Sequence, residues 1–321
     1  MKPSRRSFFQ KMVGLTSVFS IGPLIGRALA EDVSDALISL NQLDARDAAH
    51  DEDLWNRIRQ AYTVSPSIIN LNNGGVSPQP KVVQDAVDRY YHYSNETPSY
   101  YMWRILDQGR EPIREKLAAL ADCSPEEVAV NRNATESLDT VIFGLRLEKG
   151  DEVIMTKQDY PNMINAWKQR EMRDGIKIKW LNFDLPLEDD DLMIQPFLDA
   201  VTNKTKVFHL TQMINWTGQI LPVKKLCLEA RKRGIKTVVD GAHTFAHYVF
   251  SLRDLNCDYF GTSLHKWLCA PFGTGMLQMK KENIADLWPL IPNHEPLSDN
   301  IRKFEGLGTR SFAPEQAIGQ A

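Results

Sequence analysis

From residue 127 onward, short apolar runs ending in polar residues alternate with stretches whose apolar residues recur every three or four positions. Runs at 127–131, 152–156, 176–183, 206–210, 235–240 and 258–263 predict buried strands, and helical spacing predicts helices just after 131, at 167–172 and at 223–233. Upstream, 80–121 reads as helical, with Val82, Val83, Ala86, Val87 and Tyr90 on one face and Ile113, Leu117 and Leu120 on another. A short strand is expected at 69–72, running into Gly74-Gly75 and then prolines that stop regular structure. Strands alternating with helices predict an α/β domain around a largely parallel sheet. In such a sheet ligands bind at the carboxyl ends of the strands. The polar clusters that follow each run fall there.

The N-terminal third reads differently. Ser4-Arg5-Arg6-Ser7-Phe8-Phe9, an apolar run over 12–25 and Ala28-Leu29-Ala30 have the layout of a twin-arginine export signal, with cleavage expected after Ala30 and delivery to the bacterial periplasm. The apolar run is short and broken by Gly and Pro, so no stable membrane span is expected. Residues 31–70 are read as an arm, mostly charged and helix-prone at 31–65 with an acidic, solvated run at 44–53.

The 321 residues carry 38 basic and 41 acidic side chains, a formal net charge of −3, and no basic run interleaved with aromatics, which argues against nucleic acid as a partner. Cys123, Cys227, Cys257 and Cys269 have no CxxC or regular spacing, so neither a zinc site nor a disulfide framework is indicated.

The chemistry concentrates at strand ends. The run 258–263 leads through Ser263-Leu264-His265 to Lys266, in a Gly/Pro-rich turn where desolvation would lower the amine's pKa toward that of a nucleophile. The run 235–240 ends in Asp240-Gly-Ala-His243. An amine and a carboxylate so placed are what pyridoxal 5′-phosphate needs: a lysine for the Schiff base and an acid that keeps the ring nitrogen protonated. Taken alone, each is also an ordinary surface lysine or strand-end turn residue. Asn133-Ala134-Thr135-Glu136-Ser137 opens a helix whose N–H groups and hydroxyls can hold a phosphate. Tyr160 can lie flat on a ring. The loop 211–222, with Asn215, faces a ligand. His243 and His247, at i and i+4, could instead hold a metal, but no acid completes a metalloprotease pattern and no metal is expected.

With Val-Val-Asp240-Gly-Ala-His243 and Ser263-Leu-His265-Lys266 in order, the chain resembles the class V aminotransferase family of fold-type I pyridoxal phosphate enzymes, which includes cysteine desulfurases and isopenicillin N epimerase-like proteins. The resemblance implies an α-β-α sandwich around a mainly parallel mixed sheet over residues 71–310. It makes Lys266, Asp240 and His243 catalytic: Lys266 forms the Schiff base, Asp240 pairs with the pyridinium nitrogen, and His243 lies near the ring hydroxyl. Thr135, Ser263 and His265 would bind phosphate, with Ala134, Tyr160 and Asn215 also at the cofactor. Tyr160 stands where desulfurases stack a histidine. Thr309 matches a residue that reaches the phosphate of a neighbouring subunit, implying a homodimer. Family members continue into a small C-terminal domain, so 311–321 is read as the start of a truncated segment, either of a fragment or of a form lacking that domain. The expected activity is that of an aminotransferase or epimerase-like enzyme on an amino acid or related amine. A desulfurase or lyase, and a cofactor-binding protein without turnover, stand as alternatives.

Overall fold

The computed structural model describes residues 44–321; the export-signal reading, and most of the arm, lie outside the described residues. The chain divides into two units: one takes residues up to Val64 together with Pro80–Val82, the other Ser65–Gln79 and Val83–Ala321.

In the first unit, helices α1 (Ala45–His50) and α2 (Glu52–Gln60) are capped by acidic side chains. The Asp44 carboxylate accepts from the Arg46 N–H (2.8 Å) and Asp51 from that of Leu54 (3.0 Å), satisfying helix-end donors. The acidic run thus supplies caps, and Leu54, with Ala48 and Ile58, forms a small apolar cluster. Helix α3 (Lys81–Glu96) follows, and from Val83 onward it belongs to the second unit.

In the second unit, helix α4 (Arg110–Ala121) precedes strand β1 (Val128–Asn131). Helix α5 (Ala134–Gly144), strand β2 (Glu152–Thr156), helix α6 (Pro161–Asp174) and strand β3 (Lys177–Leu181) come next. Helix α7 (Asp190–Asp199), strand β4 (Thr205–Thr211), helix α8 (Val223–Lys232) and strands β5 (Lys236–Asp240), β6 (Tyr259–Ser263) and β7 (Gly275–Met279) complete the sheet. The seven strands lie in the order β1-β7-β6-β5-β4-β2-β3. β7 runs antiparallel to both neighbours, and the pairs from β6 to β3 are parallel.

Successive side chains in a strand point to opposite faces, and both faces are covered. Val128, Val130, Ile154, Phe208, Val239 and Phe260 pack with apolar residues of α4, α7 and α8. Ala129, Val153, Met155, Val207, Val238 and Tyr259 pack on the other side with α5 and α6. The result is an α-β-α sandwich around a mixed, mainly parallel sheet. Its double burial explains why these strands read as continuous apolar runs.

Two local expectations differ. Residues 69–72 form no strand: they pair with no sheet edge, and Ile69 and Leu71 are 87% and 91% exposed. On the helices of 80–121, Val83, Ala86, Ile113 and Leu117 are buried, but Val82 and Leu120 point outward. Tyr100 and Trp103, in or beside a widened helical turn over Tyr101–Leu106, are exposed. None of the four cysteines is in a disulfide, and no described helix is long and apolar enough to cross a membrane.

Candidate active site

A cavity of about 590 Å³ opens at the carboxyl ends of the parallel strands, in the second unit. Of the residues singled out in the sequence, Ala134, Thr135, Tyr160, Asn215, Asp240, His243, Ser263, His265 and Lys266 all line it. Thr309 does not; it lies exposed on the loop after the turn Ile301–Glu305, beside Gly308 and Arg310.

The start of α5 forms one wall. Asn133 caps the helix, its Oδ1 accepting from the Glu136 N–H (2.8 Å). The Ala134 N–H donates to Ser263 Oγ (2.9 Å), joining the helix start to the end of β6. Gly275 of β7 lets this loop come close: a Cβ there would stand 2.5 Å from the backbone N of Asn133, a clash with main chain that cannot yield cheaply. Thr135 lies in the first turn, where the positive end of the helix dipole favours an anion. His265 Nδ1 donates to the Thr274 carbonyl (3.0 Å), leaving its Nε2 without a protein partner among the described residues.

Asp240, at the end of β5, is 6% exposed. It accepts one hydrogen bond, from the Ala242 N–H (2.9 Å). Burial pushes its carboxyl up from the ordinary range, while the Ala242 bond and the Lys266 charge pull it back. Lys266 follows β6, and burial lowers its pKa against the pull of Asp240. Its Nζ is 3.1 Å from His243 Nε2. Burial first, then the charges of Lys266 and His247, hold the His243 pKa down at about 4, so that its imidazole is neutral at pH 7. Facing each other at this end of the sheet are therefore a desolvated amine, a neutral imidazole and a buried acid.

Four further side chains complete the site, and for two of them, Asp159 and Trp267, the sequence carries no clear signal. Thr211, which ends β4 and is paired in register with Asp240, donates through its hydroxyl to Asp159. Asp159 also accepts from the Thr156 N–H (2.8 Å), and burial pushes its carboxyl up to about 7. Trp267 and His247 line the cavity beside Lys266 and His243. His247 Nδ1 donates to the His243 carbonyl (2.9 Å), and no group of three or more metal-ligating side chains occurs among the described residues.

Sheet order, cavity position and the amine–acid pair define an α/β enzyme fold with a lysine-centred site. The chain belongs to the aminotransferase class-V family, which it matches over residues 69–300. It is 30% identical over 277 residues to the isopenicillin N epimerase of Streptomyces clavuligerus, covering 81% of this chain and 69% of that protein. It is 26% identical over 287 residues to a probable cysteine desulfurase of Synechocystis, covering 82% and 67%. Among solved structures, the cystine C–S lyase C-DES, in a mutant form with glycine covalently linked to its PLP cofactor, superposes with a TM-score of 0.72 at 22% identity, over 81% of this chain and 71% of that one. The Escherichia coli cysteine desulfurase CsdA gives a TM-score of 0.70 at 24% identity, over 82% and 69%. These structural likenesses establish the fold.

Proposed function

We propose that the protein is a pyridoxal 5′-phosphate enzyme that acts at the Cα of an amino acid or related amine, with an aminotransferase or epimerase-like outcome. The observation that carries this reading is the placement of Lys266 Nζ, desolvated and 3.1 Å from His243 Nε2, in the same cavity as the buried Asp240.

The cavity fits the cofactor on its own terms. Asp240 is a buried acid with a single hydrogen bond and no cation in contact among the described residues, the environment that a protonated ring nitrogen would complete. The start of α5, with the Thr135 and Ser263 hydroxyls, offers donors to a phosphate, and His265 lines the same wall. When bound, the cofactor supplies an electron-accepting ring that stabilises negative charge at the substrate Cα. Lys266 is the residue that would hold the cofactor, and its amine is the group placed to move a proton at the substrate Cα. His243, neutral, stays within hydrogen-bond reach of that amine. Asp240 is the acid that would pair with a protonated ring nitrogen and be held as a carboxylate by it.

Tyr160 lines the cavity at the position where the class V resemblance puts a histidine in desulfurases, which favours an aminotransferase or epimerase-like outcome over sulfur removal. The isopenicillin N epimerase relative, at 30% identity against 26% for the desulfurase, points the same way. A homodimer, with Thr309 reaching the partner's site, belongs to the same proposal, as does export to the periplasm by the twin-arginine route.

The test is Cα–H exchange. A panel of amino acids and amines incubated with the protein in deuterium oxide is followed by NMR: exchange at Cα for at least one member supports the reading, and its stereochemistry or keto product assigns the outcome. Sulfide release from cysteine without any Cα racemisation or amino transfer would replace it with the desulfurase reading.

A further inference from the structure

Two turns border the cavity, and each holds a residue in a conformation its side chain resists. Ala246 has φ +60° and Cys269 φ +56°, left-handed values that non-glycine residues keep only where their surroundings hold them. Ala246 lies between His243 and His247. Cys269 lies three residues past Lys266, its N–H donating to the Lys266 carbonyl (3.1 Å).

The two turns are joined by side chains. The His247 ring stacks on that of Trp267 with centroids 3.7 Å apart and planes at 4°. His247 Nδ1 donates to the His243 carbonyl (2.9 Å), which assigns its hydrogen to Nδ1. The path then closes on itself: Lys266 is bonded to Trp267, Trp267 stacks on His247, His247 holds the His243 backbone, and His243 Nε2 meets Lys266 Nζ at 3.1 Å. A third segment covers the pair. A Cβ on Gly74 would stand 3.3 Å from Trp267 Cζ2 and 3.5 Å from His243 Cε1, and the Ser77 N–H donates to the His265 carbonyl (3.0 Å).

We infer that His247 and Trp267 are positioning residues: their stack fastens the turn that carries Lys266 to the turn that carries His243, and so sets the amine against the imidazole. The i, i+4 histidine pair of the sequence is thereby split into two tasks, one ring at the amine and one clamping the turns. The inference rests on Lys266 being the reacting amine, but its test needs neither cofactor nor substrate.

The full chain, freed of bound cofactor, is treated with trinitrobenzenesulfonate, and modification of each lysine is timed by peptide mass spectrometry. Lys303 is the internal gauge of general loosening, because its Nζ is buried against the carbonyls of Ile284 (2.6 Å), Pro296 (2.8 Å) and Ser298 (3.0 Å). His247→Ala is expected to change the Lys266 rate about 3- to 10-fold, the weight of one aromatic stack, with Lys303 unchanged. His247→Phe, which keeps a stacking ring, is expected to return Lys266 to within about 2-fold of the wild type. An unchanged Lys266 rate in His247→Ala, a parallel change at Lys303, or a Phe variant as altered as the Ala variant would each overturn the inference. Failure of the pyridoxal phosphate reading shows elsewhere, as a near-visible absorption band that survives Lys266→Ala.

Discussion

Lys266 Nζ and His243 Nε2 stand 3.1 Å apart, a desolvated amine against an imidazole held neutral by burial and by the lysine itself. A neutral ring nitrogen can accept from the ammonium or donate to the free amine, so it serves the lysine in both protonation states. His243→Ala is expected to lower turnover by about 10²-fold, the lower range for a group engaged in proton transfer. His243→Gln, which keeps a polar group in reach, is expected to retain more. Steady-state rates on a substrate found by the exchange screen check the ranking; equal losses in both variants would remove His243 from the proton path.

Asp240 separates function from stability. Burial raises its folded-state pKa, so the folded protein without cofactor binds the proton more tightly than the unfolded chain. The stability this group contributes is therefore present below the ordinary carboxylate range and is lost as pH rises from there through the raised value. Asp240→Asn, neutral and of the same shape, is expected to be at least as stable as the wild type at pH 7 without cofactor, and to lose about 10²-fold or more in turnover because the ring nitrogen loses its charged partner. Thermal melts of cofactor-free protein beside rate measurements test both halves.

His209 predicts acid lability. It is fully buried on β4, neither ring nitrogen has a partner among the described residues, and burial drives its pKa down to about 3. The unfolded chain takes up a proton there near pH 6.5 and the folded one does not. Its stability is complete above the unfolded value and is lost as pH falls from there toward 3. His209→Phe should flatten the melting temperature across that window; a wild-type slope retained by the variant would assign the acid sensitivity to other groups.

Arg114 ties α4 to the sheet. It is 1% exposed, meets Glu305 through two bonds of 2.8 and 2.9 Å, and donates to the Val128 carbonyl. Glu305 in turn accepts from the Val130 N–H (2.6 Å). Arg114→Met leaves that carboxylate buried without its cation and is expected to cost about 3–5 kcal/mol, measured by denaturant unfolding. A loss below about 1 kcal/mol would mean that water replaces the guanidinium.

The sheet was legible because its strands are buried on both sides, so apolar runs such as Val238-Val239 and Tyr259-Phe260 stop only where the strands end. That stop put Asp240, Ser263 and Lys266 on view. Residues 69–72 misled because an apolar, extended segment becomes a strand only beside a free sheet edge, and periodicity does not report edges. The clamp was hidden for another reason. His247 and Trp267 meet only because the turns at Ala246 and Cys269 take left-handed backbone values, and nothing in an alanine or a cysteine announces that. Nothing local marks Asp159, because its partner, Thr211, is 52 residues away at the end of β4.

The central claim is that Lys266 is the residue that takes pyridoxal phosphate. The direct measurement is the near-visible absorption spectrum of the purified full chain after addition of the cofactor, beside that of Lys266→Ala. A band present in the wild type and abolished by borohydride, with the reduced adduct mapped by mass spectrometry to Lys266 and absent from the variant, is the predicted result. A band of equal strength in Lys266→Ala, or an adduct on another lysine, would contradict it.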